Sequence, residues 1–205
     1  MKPWQRWLLL GGVVAVITHL ATVWALPRLI MREAMTRIAQ ETAAQEAARP
    51  PAARITEPAT GVYLPPPTDH TQRRIVMPSP DLLYATCAAD LSKQPLRVTA
   101  RIEHPRYWSV ALYAANSDNF FVINDRSLAE TTAAAPDAAP DRLDLWIVAP
   151  GTDRAGVTAP DGATVVESPS GNILLLMRLL LTDDPADLTS AHVARASLRC
   201  GGAPP

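Results

Sequence analysis

The chain has 205 residues, with 19 basic and 20 acidic side chains and a net charge of −1. That length holds one domain plus an anchor. The near-cancelling charge leaves no basic field to grip a phosphate backbone, so nucleic acid is not an expected partner. Twenty prolines against nine glycines exclude a long helical bundle, because proline removes a backbone donor and suits linkers, strand edges and turns.

The first element is an uncharged run from Trp7 to Leu26, the length that crosses a hydrocarbon core as a helix. Trp4, Trp7 and Trp24 stand near its ends, where indoles prefer the interface. Lys2 and Arg6 precede the run; Arg28, Arg32 and Arg37 follow it, mixed with Glu33 and Glu41. Charge therefore does not fix orientation. A short N-terminal tail and an exported pair of cysteines favour a single-pass anchor (residues 1–27) in a bacterial inner membrane, with the N-terminus cytoplasmic and the domain periplasmic. A cleaved signal sequence ending at Val23-Trp24-Ala25 competes with this reading. Gly11, Ala15, Thr18, His19 and Thr22 fall on one helical stripe. Small and hydroxylated residues there let a second helix approach, and an ionisable group in mid-span points to a partner. A neutral His19 bonded to its own helix is the alternative.

Residues 28–48 continue as helix, with an apolar stripe of Met31, Ala34, Met35 and Ile38 and a Glu33–Arg37 pair in the favourable order. This predicts a stalk rising from the membrane. Residues 49–72 read as an extended, semi-rigid linker around Arg49-Pro50-Pro51, Glu57-Pro58 and Pro65-Pro66-Pro67.

From residue 73 to 200 the period becomes alternating, which predicts a mainly β, sandwich-like antiparallel domain. Strands are expected at Arg74–Met77, Leu82–Ala88, Leu96–Glu103, Arg106–Ala114, Asn119–Ile123, Leu143–Val148 and Thr164–Glu167. The strands at 96–103, 106–114 and 119–123 read as a three-strand meander, turned by His104-Pro105 and by Asn116-Ser117-Asp118. The run Ile173–Leu181 is apolar on both faces apart from Arg178 and reads as a central strand, with a helix as the alternative. Residues 129–140 read as a loop. Asp184-Pro185 opens a short C-terminal helix to about Ser197. Cys87 and Cys200 lie far apart without metal-like spacing. In an exported domain an even count predicts a disulfide, with two unrelated buried thiols as the alternative.

Pro78-Ser79-Pro80-Asp81-Leu82-Leu83-Tyr84 precedes Asp90-Leu91-Ser92-Lys93. Tyr107-Trp108-Ser109-Val110-Ala111-Leu112-Tyr113 and Asp118-Asn119-Phe120-Phe121 follow. In order and spacing these segments resemble the family called domain of unknown function 1254, over about Arg73 to Cys200. Leu82 stands where that family usually has threonine. The resemblance implies a mainly β fold, a short membrane-anchored bacterial form, and docking with a companion of the domain of unknown function 1214 family.

No phosphate-cradling glycine loop, nucleophile elbow or His-Glu-x-x-His occurs in the sequence. The four histidines are scattered over span, linker, turn and helix, and no metal or other cofactor is expected. Asp81, Tyr84, Tyr107, Tyr113, Asp118 and Asn119 are the candidate ligand-binding residues. As plain structure, Asp118 and Asn119 are turn formers and the tyrosines cover a sheet. The leading expectation is a non-catalytic envelope subunit that docks with a protein partner. The alternative is an enzyme or small-ligand binder with a pocket near Asp81, Tyr84 and Tyr113.

Overall fold

The structure, a computed structural model, describes residues 2–56, 61–69, 78–128, 142–152, 157, 159–160 and 162–202. The expected strand at 74–77 and loop at 129–140 lie outside these residues.

Helix α1 (Pro3–Ala48) is a single 46-residue element. Pro3 starts it with a preset φ, and the Gln5 side chain accepts from the Lys2 backbone N–H at 2.7 Å. Pro27 sits inside the helix. It withholds one N–H from the helical ladder, yet the helix runs on. Before Pro27 the surface is apolar and open, with Trp7 73% and Ile17 62% exposed. After it, one stripe turns inward: Met31 is buried, and Ala34, Met35, Ile38, Thr42 and Gln45 are half-buried. The expected stalk thus packs against the domain, in contact with strand β1. The apolar stripe has the helical period needed to lie on a sheet. The expected Glu33–Arg37 pair forms, at 2.6 Å, on the exposed side.

The linker is less extended than expected. Pro50 ends α1, but Pro51 starts a six-residue helix, α2 (Pro51–Thr56), because proline is also a good first helical residue. Further on, Tyr63 pairs with Thr86 through two backbone hydrogen bonds of 2.8 and 3.0 Å.

Among the described residues, eight strands then form two four-stranded sheets: β1 (Leu82–Asp90), β2 (Leu96–Arg101), β3 (Trp108–Ala114), β4 (Asn119–Asn124), β5 (Arg142–Val148), β6 (Thr164–Glu167), β7 (Asn172–Leu180) and β8 (Arg199–Gly202). Helix α3 (Pro185–Ser197) joins β7 to β8. The first sheet has the order β1-β7-β3-β4 and the second β6-β5-β2-β8. All pairs are antiparallel except β5 with β6. The sandwich-like β domain with a C-terminal helix is therefore present. β7 is central in its sheet, as its two apolar faces required. Ile173, Leu175, Met177 and Leu179 are fully buried, while Leu174, Leu176 and Leu180 are half-buried on the opposite face.

The three-strand meander is not formed. β2 pairs with β5 and β8 in the second sheet, and only β3 and β4 make a hairpin, in the first. Alternation tells that a strand has a core face, not which sheet it joins. Both β2 and β3 supply core residues, and the segment between them carries the chain from one sheet to the other. Ile102 and His104 are buried along that path.

Leu83, Val98, Val110, Leu112, Leu145, Ile147, Leu175 and Met177 fill the space between the sheets. Each such side chain contributes about 1.5–3 kcal/mol by leaving water. Cys87 on β1 and Cys200 on β8 meet in this core. The expected disulfide is absent: both thiols are free and buried. Burial first, then the neighbouring Cys87 thiol, pushes the Cys200 pKa well above the usual thiol value. The two chain segments are brought together as the sequence implied, by core packing and without a covalent link.

Candidate functional site

The six candidate residues fall into two groups at opposite ends of the first sheet. Tyr84 on β1 stands opposite Arg178 of β7, whereas Tyr113 on β3 stands opposite Leu174. Four residues of β7 separate these positions, about 13 Å along the strand. Asp81 lies beyond Tyr84, exposed, with its carbonyl accepting from the Leu181 N–H at 2.8 Å. Tyr107 is 41% exposed and its carbonyl accepts from the Leu180 N–H. At the other end, Asp118 and Asn119 are exposed. The Asp118 carboxylate accepts from the Asn116 amide, and its carbonyl closes the hairpin on the Ala114 N–H at 2.8 Å. These are the roles of turn formers.

The Tyr84 hydroxyl accepts from the Ser79 N–H at 3.0 Å, which stiffens the Ser79-Pro80-Asp81 approach to β1. Shallow concavities lie along α1, one lined by Leu8, Gly12 and Val16 and another by Leu29, Glu33 and Arg37. None of the six residues lines either. Among the described residues no cluster of three His, Cys, Asp or Glu side chains could hold a metal ion.

The membrane-stripe residues sit on open helix surface. Gly11, Ala15, Thr18, His19 and Thr22 are all exposed, and the Thr22 hydroxyl donates to the Thr18 carbonyl at 2.8 Å.

Sequence reasoning missed the polar cluster where α3 meets the crossover. His104 is buried; its Nδ1 lies 2.8 Å from the Ser190 hydroxyl and its Nε2 3.0 Å from the Leu180 carbonyl. Beside it, Asp187 accepts from Arg106 Nε at 2.6 Å and from the Thr182 hydroxyl at 2.8 Å. The Arg106 hydrogen bond, then that of Thr182, holds the Asp187 carboxyl below its ordinary pKa, and the same pairing raises that of Arg106. The sequence signal was Asp184-Pro185-Ala186-Asp187, an N-terminal helix pattern with acid in the first turn, where the helix dipole favours it. Nothing in sequence spacing linked it to residues 80 positions earlier. The cluster fastens the first turn of α3 to the crossover.

Arg195 on α3 makes a second fastening. Its guanidinium donates to the Pro65 carbonyl at 2.8 Å and to the Tyr84 carbonyl at 3.4 Å. Burial lowers its pKa.

A third feature is a row of side chains across the first sheet. Tyr84, Arg178 and Ser109 stand in register on β1, β7 and β3. Ser109 is fully buried, and among the described residues neither its hydroxyl nor the Arg178 Nε has a hydrogen-bond partner.

The profile of the family described as Protein of unknown function (DUF1254) matches residues 60–201. The chain belongs to the DUF1254 family. The match begins ahead of Arg73 and takes in Gly61, whose positive φ of 64° lets the backbone pass against the Cys200 carbonyl. No curated protein matches the chain. Among solved structures, the crystal structure of the VPA0106 protein from Vibrio parahaemolyticus is 12% identical with a TM-score of 0.56, covering 90% of this chain and 40% of that one. An uncharacterized protein from Burkholderia cenocepacia is 14% identical with a TM-score of 0.42, covering 89% of this chain and 50% of that one. The likeness to the Vibrio structure shows that the two chains share a fold. The present chain spans less than half the length of that protein.

Proposed function

We propose that this DUF1254 protein is a membrane-anchored, non-catalytic docking subunit of the bacterial envelope, held in the inner membrane by α1 with its β domain in the periplasm. One observation carries the reading. α1 continues unbroken from an apolar span long enough to cross a membrane into a stripe packed on the first sheet, so packed helix rather than an extended tether links the span to the domain. A presenting scaffold is served by such a link. The polar side chains described above are mostly engaged in fastening elements to one another rather than converging on a reacting centre.

The orientation is part of the proposal, and the free cysteines lend it no support. A companion of the domain of unknown function 1214 family is the proposed partner. It rests on the family resemblance alone. The test is co-expression of the tagged full-length protein with such a companion, followed by extraction in mild detergent. A stoichiometric complex, weakened by His19→Leu if the membrane stripe contributes, is expected. Two separately eluting proteins would overturn the partner.

The unpartnered Ser109 and Arg178 groups favour a second reading, a small anionic ligand bound beside Tyr84, because buried polar atoms are normally satisfied. A thermal shift with carboxylates or phosphate that disappears in Arg178→Gln supports this reading, and no shift for any anion tested counts against it.

A further inference from the structure

We infer that the tip of the β3–β4 hairpin lies in the lipid headgroup layer and is a membrane-contact surface of the domain. This rests on the anchored reading above and adds which part of the domain meets the lipid.

The apolar run Trp7–Leu26 is 20 residues, about 30 Å of helix, which matches the hydrocarbon core. The headgroup layer beyond it is about 5–8 Å deep on each side, or roughly four to five residues of helix. Pro27 to Met31 therefore lie at headgroup depth. Arg28 fits that level: its guanidinium stands 4.3 Å over the Trp24 ring and donates to the Trp24 carbonyl, an interfacial pair of indole and cation.

The hairpin reaches the same level through a direct bond. The Ser117 hydroxyl donates to the Pro27 carbonyl at 3.1 Å. Ser117 holds a positive φ of 74°, so the turn is fixed in one unusual conformation. The other end of the packed stripe is also fixed. Gln45 accepts from the Leu64 N–H at 3.1 Å and donates to the Leu64 carbonyl at 3.4 Å. Leu64 follows Tyr63, which borders β1, whereas Ser117 borders β4. Across the order β1-β7-β3-β4 the helix thus runs obliquely, over about 27 Å of its length. An oblique crossing brings one corner of the sheet to the membrane rather than a whole end. That corner is the Asn116–Asn119 turn, with Asp118 and Asn119 exposed to hydrogen-bond with headgroups. Arg126, past the far end of β4, is about 20 Å away along the strand.

The experiment places the full-length protein in phosphatidylcholine–phosphatidylglycerol nanodiscs with a single fluorophore on an introduced cysteine. Cys87 and Cys200 are buried, so labelling of the folded protein is selective. Probes at Asn119→Cys and Arg126→Cys are quenched by a nitroxide carried on the lipid headgroup. At least threefold stronger quenching at 119 than at 126 is expected. Asp118→Cys repeats the measurement in case the first variant disturbs the turn. Equal quenching at both ends, or stronger quenching at 126, overturns the inference. Flotation of the same protein with liposomes separates the two claims. Flotation with equal quenching leaves the anchor standing and removes the hairpin contact, while failure to float removes both.

Discussion

The two halves of α1 share one backbone and have different surfaces. From Trp7 to Trp24 the helix is uncharged, predominantly apolar and exposed; after Pro27 the exposed side carries charge and one stripe is covered by the first sheet. The difference is the ground for the anchored reading proposed above. An all-apolar helix surface is stable only against lipid or another apolar partner, whereas the second half satisfies its apolar residues within the molecule. Secondary structure alone does not separate them.

Several perturbations test that division. Removing residues 2–26 has the largest expected effect: the protein moves wholly from the membrane to the soluble fraction on ultracentrifugation, while its far-UV circular dichroism keeps the β signature. Loss of the β signature would show that the domain needs the span. Next is Met31→Ala, which empties a buried contact and is expected to cost about 2–3 kcal/mol in denaturant unfolding of the detergent-solubilised chain. Leu29→Ala, at 59% exposure on the other side, is expected to change it by less than about 0.5 kcal/mol. Equal effects would mean that the helix does not pack as described. Gln45→Ala removes both hydrogen bonds to Leu64 and is expected to cost about 1 kcal/mol, with faster amide exchange confined to the end of α1.

The smallest effect is a change in pH response. Contacts of α1 with the domain through Met31, Ser117 and Gln45 are neutral, but the fastening of α3 is charged. Asp187 has a lowered pKa in the folded protein. The unfolded chain therefore takes up the proton first, near the ordinary carboxylate value of about 4. The stabilisation is complete above that pH and lost as pH falls through the lower folded value. Asp187→Asn is expected to flatten the fall in urea midpoint below about pH 4. An unchanged slope would assign the acid sensitivity to other carboxylates.

Much of the architecture was legible in the sequence because it depended on local pattern. Asp184-Pro185 marked the start of α3, and its Asp184 side chain does accept from the Ala186 N–H at 2.8 Å. The two-faced apolar run at 173–181 marked the central strand. What pattern could not supply was partnership at a distance. The alternation of 96–103 and 106–114 held no information on which sheet each strand joins. The short β8, with Arg199, Cys200 and two glycines, has no alternation at all and exists because β2 offers it an edge. The stripe at Met31–Ile38 announced a buried face without naming what buries it. The candidate site was the least legible part. Tyr84 and Tyr113 belong to neighbouring sequence motifs but to separate ends of the sheet, and His104 looked like an ordinary turn residue until α3 covered it.

The unbroken passage of α1 from span to sheet has a mechanical consequence. A transmembrane helix adjusts its tilt when bilayer thickness differs from its apolar length. A domain on a flexible tether would ignore that change. Here the domain rides on about 33 Å of the same helix beyond Leu26, so each ~10° of tilt swings its far end by about 6 Å. On the anchored reading proposed above, the orientation of the β domain follows the membrane's thickness, and a partner docked on it would feel the lipid composition through a lever.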